Sequence, residues 1–145
     1  MLVVSLLIGL IGDRVVLSGK VVPLADALKG FAVVAEEGPI TRQVALVGED
    51  GAVTPLLMDE ASKALFKDPR LHRRQVRIDG RLRRGLPYLQ VLNFQIWQED
   101  RFRTPEYWCE VCSISYRYDP ENCPCCQGPM VLRMKLEEKA GPTSP

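Results

Sequence analysis

From Val15 onward the apolar residues fall in short runs broken by turn-forming residues, which predicts a small all-β unit rather than alternating strands and helices. Val15–Val22 reads as a first strand with a bend at Gly19, and Pro23 ends it. Leu24–Lys29 fits one or two helical turns closed by Gly30, and Phe31–Pro39 has no single period. Gln43–Val47 and Ala52–Met58 flank Gly48-Glu49-Asp50-Gly51, whose two glycines make a hairpin signal. Asp59–Phe66 predicts a short helix with an acidic first turn, the end of the helix dipole that favours carboxylates. Val76, Ile78, Gly80 and Leu82 alternate with Gln75, Arg77, Asp79, Arg81 and Arg83, so this strand should bury one face and expose a charged one. Arg84-Gly85-Leu86-Pro87 then turns the chain into Tyr88–Trp97, with Leu89 and Val91 on one side and Leu92, Phe94 and Ile96 on the other.

Three strands, a short helix and two hairpin-paired strands is the element order of the OB-fold, a five-stranded, partly open barrel. The predicted fold class is therefore mainly β, with an OB-like barrel and one short helix over residues 13–98. Residues 99–106 are polar, include Pro105 and read as a linker. A small ribbon module is expected over 107–136, and a polar, disordered tail over 137–145. At the other end, Leu2–Ile11 is an apolar run too short for a transmembrane helix but long enough for a signal-peptide core. Gly12 suits cleavage before the polar Asp13-Arg14, whereas the lack of a preceding Lys or Arg, and Leu10 two residues before Gly12, argue for a buried strand or packing helix. Residues 1–12 are accordingly read as a signal peptide or hydrophobic N-terminal segment. Export or a cell-envelope location is the expectation and the cytoplasm the alternative, with no transmembrane span in the mature chain.

The sharpest chemistry lies in Trp108–Met130, where Cys109 and Cys112, ten intervening residues, then Cys123 and Cys126 give C-x2-C-x10-C-x2-C. A two-residue gap lets both sulfurs of one tight turn reach a single ion at about 2.3 Å, with backbone amides beyond the turn donating to the thiolates. Ile114–Tyr118 reads as a strand, Asp119-Pro120-Glu121-Asn122 as the returning turn, and Met130–Met134 as the outgoing strand. Disulfides or free core thiols are the competing reading, and ribbon spacing favours metal. The fifth thiol, Cys125, adjoins a ligand in sequence but should point away from the ion as a packed or exposed bystander, with substitution as a ligand the alternative.

With 46% apolar residues in 145, the chain can bury a core, and a net charge of +1 gives no global pull toward nucleic acid or anionic membrane. Charge is nevertheless segregated: Lys67–Arg84 holds eight basic and two acidic residues, against eleven and sixteen in the rest. Arg73, Arg74, Arg77, Arg81, Arg83 and Arg84 could hold an anion or track a phosphate backbone, as OB-folds hold single strands. The absence of aromatic residues from Gln43–Met58 leaves nucleic acid possible but not favoured. Trp97, Phe102, Tyr107 and Trp108 are expected to glue ribbon to barrel, with both indoles shielded. His72 is the one histidine, and no haem, zinc-protease, Walker or nucleophile-elbow motif occurs. No base, nucleophile and orienting group can be named together, so no enzyme is expected.

Two resemblances bear on the metal and the layout. Tyr107-Trp108-Cys109-Glu110-Val111-Cys112, with Tyr116 and Cys123-Pro124-Cys125-Cys126, resembles the rubredoxin and short rubrerythrin-type iron knuckle, which implies an iron tetrathiolate. Ser113 stands where that family usually carries Gly, so zinc is the expected ion and iron the alternative. Over roughly residues 16–135, GKVVPLADALKG, FKDPRLHRR, YLQV, YWCEVCSI and CCQGPMVLR together resemble a family of small uncharacterised bacterial proteins. That resemblance implies the two-part layout and an exported precursor, and it carries no activity to transfer. The expected function is a noncatalytic, metal-stabilised binding or scaffolding protein for an unidentified protein or ligand partner. Single-stranded nucleic-acid binding and rubredoxin-like electron transfer are the alternatives.

Overall fold

The computed structural model describes residues 12–136. The apolar run at residues 2–11 and the tail at 137–145 lie outside the described residues. The architecture turns on β1 (Asp13–Pro23), which is long enough to serve two neighbours. It pairs antiparallel with β4 (Gln75–Leu82) from Asp13 to Lys20, then with β2 (Val44–Val47) from Lys20 to Pro23. Gly19 lies at the changeover, where a Cβ would sit 2.2 Å from the Val47 carbonyl oxygen, so only glycine lets the strands come so close. β2 continues into β3 (Val53–Leu57), β4 into β5 (Leu89–Gln98), and a short parallel pairing of Leu56 with Leu89 joins β3 to β5. The ring order β1-β2-β3-β5-β4 is that of a five-stranded OB-like barrel.

Between β3 and β4, α3 (Lys63–Lys67) and a 3-10 turn (Pro69–Leu71) send Ala64, Leu65 and Leu71 into the barrel core. The expected acidic first turn is absent. Asp59 and Glu60 precede the helix, and Asp59 Oδ1 accepts from the Ala61 and Ser62 amides in a turn locked by buried Ser62. Two more short helices, α1 (Leu24–Lys29) and α2 (Glu37–Ile40), lie between β1 and β2. Among the described residues, no helix is long and apolar enough to cross a membrane.

β5 departs from simple alternation. Asp79 pairs with Asn93 but Gly80 with Val91, so Leu92 is an extra residue in a β-bulge. The bulge reverses the facing, and Leu89, Val91, Phe94 and Ile96 all join one core instead of splitting between two faces. Gly80 is required there, because a Cβ would meet the Gln90 carbonyl at 2.6 Å.

The stretch expected as a linker is built into the sheets. Arg101–Arg103 forms β6, hydrogen-bonded to the end of β5, and Pro105 already begins β7 (Pro105–Cys109). β7 is the middle strand of a second sheet, between β8 (Ile114–Tyr116) and β9 (Val131–Met134). Barrel and ribbon share one core: Tyr107 is fully buried among the barrel's apolar residues, and Tyr116, Tyr118, Met130, Leu132 and Met134 pack against the same cluster. The aromatic glue is therefore Tyr107. Trp97 is 47% exposed, against the expectation that it is shielded, because it points outward from β5, where the Phe102 ring packs edge-on with centroids 5.0 Å apart. Trp108 is half-buried under the Arg133 guanidinium, 3.7 Å from the ring centroid, while Arg133 pairs with buried Glu106 at 2.9 Å.

Candidate metal centre

The ribbon is two knuckles held face to face by the second sheet. In the first, between β7 and β8, Ser113 donates its amide to the Cys109 carbonyl at 2.8 Å, with its own φ at 55°. In the second, Gln127 donates to the Cys123 carbonyl at 2.8 Å, with φ at 62°. Each residue that follows the second cysteine of a pair thus takes the left-handed conformation glycine adopts at least cost. The backbone demand is the same as in a glycine-bearing knuckle, and Ser and Gln meet it under strain. The second knuckle is framed further by a Cys123 amide to Gly128 carbonyl bond of 2.8 Å and a bridge between Asn122 and Pro129.

This scaffold brings the sulfurs of Cys109, Cys112, Cys123 and Cys126 within 4.8 Å of one another, with Cys109 and Cys126 at 3.5 Å. A tetrahedron of sulfurs about 2.3 Å from a central ion has edges of about 3.8 Å, so the donor set matches a tetrathiolate site in number, type and size. Amides are already aimed at sulfur: Cys112 donates to Cys109 Sγ and Gly128 to Cys126 Sγ, each at 3.4 Å. Such donors orient thiolates and spread their charge. The Cys126 and Cys125 amides hold the Cys123 thiol down to about 7, whereas the Cys125 and Cys126 thiols push Cys112 well above its ordinary value. A divalent cation placed among them would supply the positive charge that lets four crowded sulfurs ionise together. Cys125 is exposed and outside the four-sulfur set.

Docking rests on a carboxylate the sequence reading passed over. Asp68 is 5% exposed and accepts from the Tyr107 hydroxyl at 2.6 Å, the Arg70 amide at 3.0 Å, and Arg70 Nη2 at 2.8 Å. Burial opposes ionisation of Asp68, but donors from Arg70 and Tyr107 outweigh it and lower its pKa. Burial and the Asp68 carboxylate together push Tyr107 far up. Arg70 also reaches Asp119 of the ribbon at 3.5 Å, and Arg117 donates to the Leu92 carbonyl at 3.1 Å. Asp68 directly before Pro69 is a cap signal, which could have singled it out as a residue with a fixed orientation.

The basic stripe is spread out and engaged. Arg73 pairs with Asp26 at 2.7 Å, Arg74 donates to Gln98 at 2.9 Å, and Arg77 donates to Gln95 at 2.6 Å while lying 4.5 Å over the Phe102 ring. Arg14, and less directly Arg81, hold Asp79 below its usual range. Arg83 contacts Gln90 at 3.5 Å, and Arg84 sits exposed in the turn. Arg77 and Arg81 share the outward face of β4 with Asp79, an acid in the middle of the stripe. His72 Nε2 lies 2.7 Å from the Leu65 carbonyl, a structural contact that fixes the imidazole. Compared with protein-family models, curated proteins and solved structures, the chain matches none.

Proposed function

We propose that this is a noncatalytic binding or scaffolding protein whose C-terminal ribbon is folded by a structural zinc ion and clamped to the OB-like barrel. The observation that carries the reading is the four-sulfur cluster, with every sulfur within 4.8 Å of the others on two matched knuckles. Four protein thiolates complete a tetrahedral shell and leave no position for substrate or water, which is the pattern of structural rather than catalytic zinc. Elemental analysis of the purified chain tests it, with one zinc per chain and no visible colour expected. Cys112→Ser should abolish metal retention, while Cys125→Ser should retain it. Equal metal loss in the two variants would contradict the ligand assignment, and a red, iron-loaded chain would favour the electron-transfer alternative. Export remains part of the proposal, resting on the Leu2–Ile11 run, and N-terminal sequencing of the natural protein tests it.

A second reading, single-stranded nucleic-acid binding, has one observation in its favour: exposed Trp97 stands beside Phe102 and Arg77 on the outer sheet face. The partners already made by Arg74 and Arg77, and Asp79 within the stripe, support the first reading over it.

A further inference from the structure

Where β1 passes from β4 to β2, the outer face of the barrel opens into a cleft of about 800 Å³ between α1 and the β2–β3 hairpin. Its floor is apolar. Val22 and Ala27 belong to a small buried cluster, while Val47 and Val53, paired across β2 and β3, are only half covered. Phe31 forms one wall at 60% exposure, fixed at the end of α1 by the hydrogen bond its backbone N–H donates to the Leu28 carbonyl at 3.0 Å. Among the described residues, the chain leaves this ring and floor open to solvent. A volume of this size, with an apolar floor and four charged side chains confined to its lining rim, falls in the range of small-molecule sites.

The rim supplies the recognition chemistry. Lys20 and Arg73 stand at the β1–β4 side, with Asp26 on α1 and Glu49 on the exposed hairpin tip. Asp26 has two cationic partners, Lys29 at 2.9 Å on one oxygen and Arg73 at 2.7 Å on the other. Arg73 can therefore turn to an incoming anion while Lys29 keeps Asp26 neutralised. Arg73 is also pinned: its amide donates to the Val21 carbonyl at 2.8 Å and its φ is 61°, a strained conformation that fixes where the side chain leaves the backbone.

We propose that this cleft binds a small amphipathic carboxylate, its apolar body on Val47 and Val53 against Phe31 and its head held by Arg73 and Lys20. The proposal rests on the reading of the chain as a binding protein and is independent of the metal. Calorimetric titration of the metal-loaded full chain with decanoate and with decan-1-ol tests it, after metal content has been confirmed. Decanoate should saturate one site per chain and bind more tightly than the alcohol. Arg73→Gln should weaken decanoate about tenfold and leave decan-1-ol unchanged, as expected for loss of a charge-assisted contact to the head alone. Phe31→Ala should weaken both. No saturable decanoate binding, equal affinity for acid and alcohol, or identical decanoate affinity in wild type and Arg73→Gln would each overturn the proposal. Any of these with zinc still bound would leave the metal reading standing.

Discussion

Replacing Tyr107 by Phe removes one oxygen from the centre of the joint between barrel and ribbon and leaves the ring where it is. The lost contact is the 2.6 Å hydrogen bond from the Tyr107 hydroxyl to Asp68 Oδ2. Hydrogen bonds to charged groups contribute about 1.5–3 kcal/mol. Asp68 keeps its bonds from the Arg70 amide and guanidinium, so the carboxylate is not orphaned and the lower part of that range, about 2 kcal/mol, is expected. In urea, with a slope of about 2 kcal/mol per molar, the midpoint should fall by about 1 M at unchanged slope. Two pH signatures separate this bond from generic packing loss. Asp68 is depressed in the folded protein, so its contribution is present above the ordinary carboxylate range and fades as pH falls through the lowered folded value; the difference between wild type and variant should shrink there. Tyr107 is raised, so its contribution is complete below its ordinary value of 10.0 and is lost as pH climbs above it; the variant should lack that alkaline loss. A variant as stable as wild type at neutral pH, or one whose deficit is the same at every pH, would refute the claim that this bond clamps the two sheets together.

Two further outcomes follow from the geometry. Ser113→Gly and Gln127→Gly should each stabilise the metal-loaded ribbon by about 0.5–1 kcal/mol in thermal or urea unfolding, since both residues have positive φ; destabilisation would show that their side chains contribute more than the strain costs. A single-stranded oligonucleotide should not bind at physiological salt. A log–log salt slope of about −2 or steeper that disappears on changing Arg77, Arg81 and Arg83 to Gln would instead establish the nucleic-acid reading.

The parts of the fold legible in the sequence were those with a strict local rule. Val76, Ile78, Gly80 and Leu82 alternate because β4 buries one face, and the cysteine spacing follows from the two turns that place four sulfurs together. Elements governed by distant partners were not legible. Leu92 looks like one more apolar residue in a strand, and only the pairing across to Asp79 and Gly80 makes it a bulge that turns Phe94 and Ile96 inward. Arg101–Arg103 is only three residues long, carries two arginines and pairs solely through the end of β5 at a sheet edge, so from its sequence such a strand resembles a linker. Aromatic residues crowd the junction, but which of them docks depends on strand facing: Tyr107 meets the barrel core and Trp97 meets solvent. The arginine stripe could be counted from the sequence, whereas Asp26, Gln98 and Gln95 as its partners lie 47, 24 and 18 residues from the arginines they bind.

On this proposal a metal ion, rather than the ribbon's own small core, holds residues 107–134 in place. The most direct test follows the amide signals of the full chain by nuclear magnetic resonance as the metal is chelated and then restored. Structural zinc contributes on the order of 10–16 kcal/mol in small peptides, more than three short strands can supply alone. Chelation should collapse the dispersed signals of β7, β8 and β9 while β1 and β4 of the barrel persist, and one equivalent of zinc should restore them. Ribbon signals unchanged after complete metal removal would contradict the account.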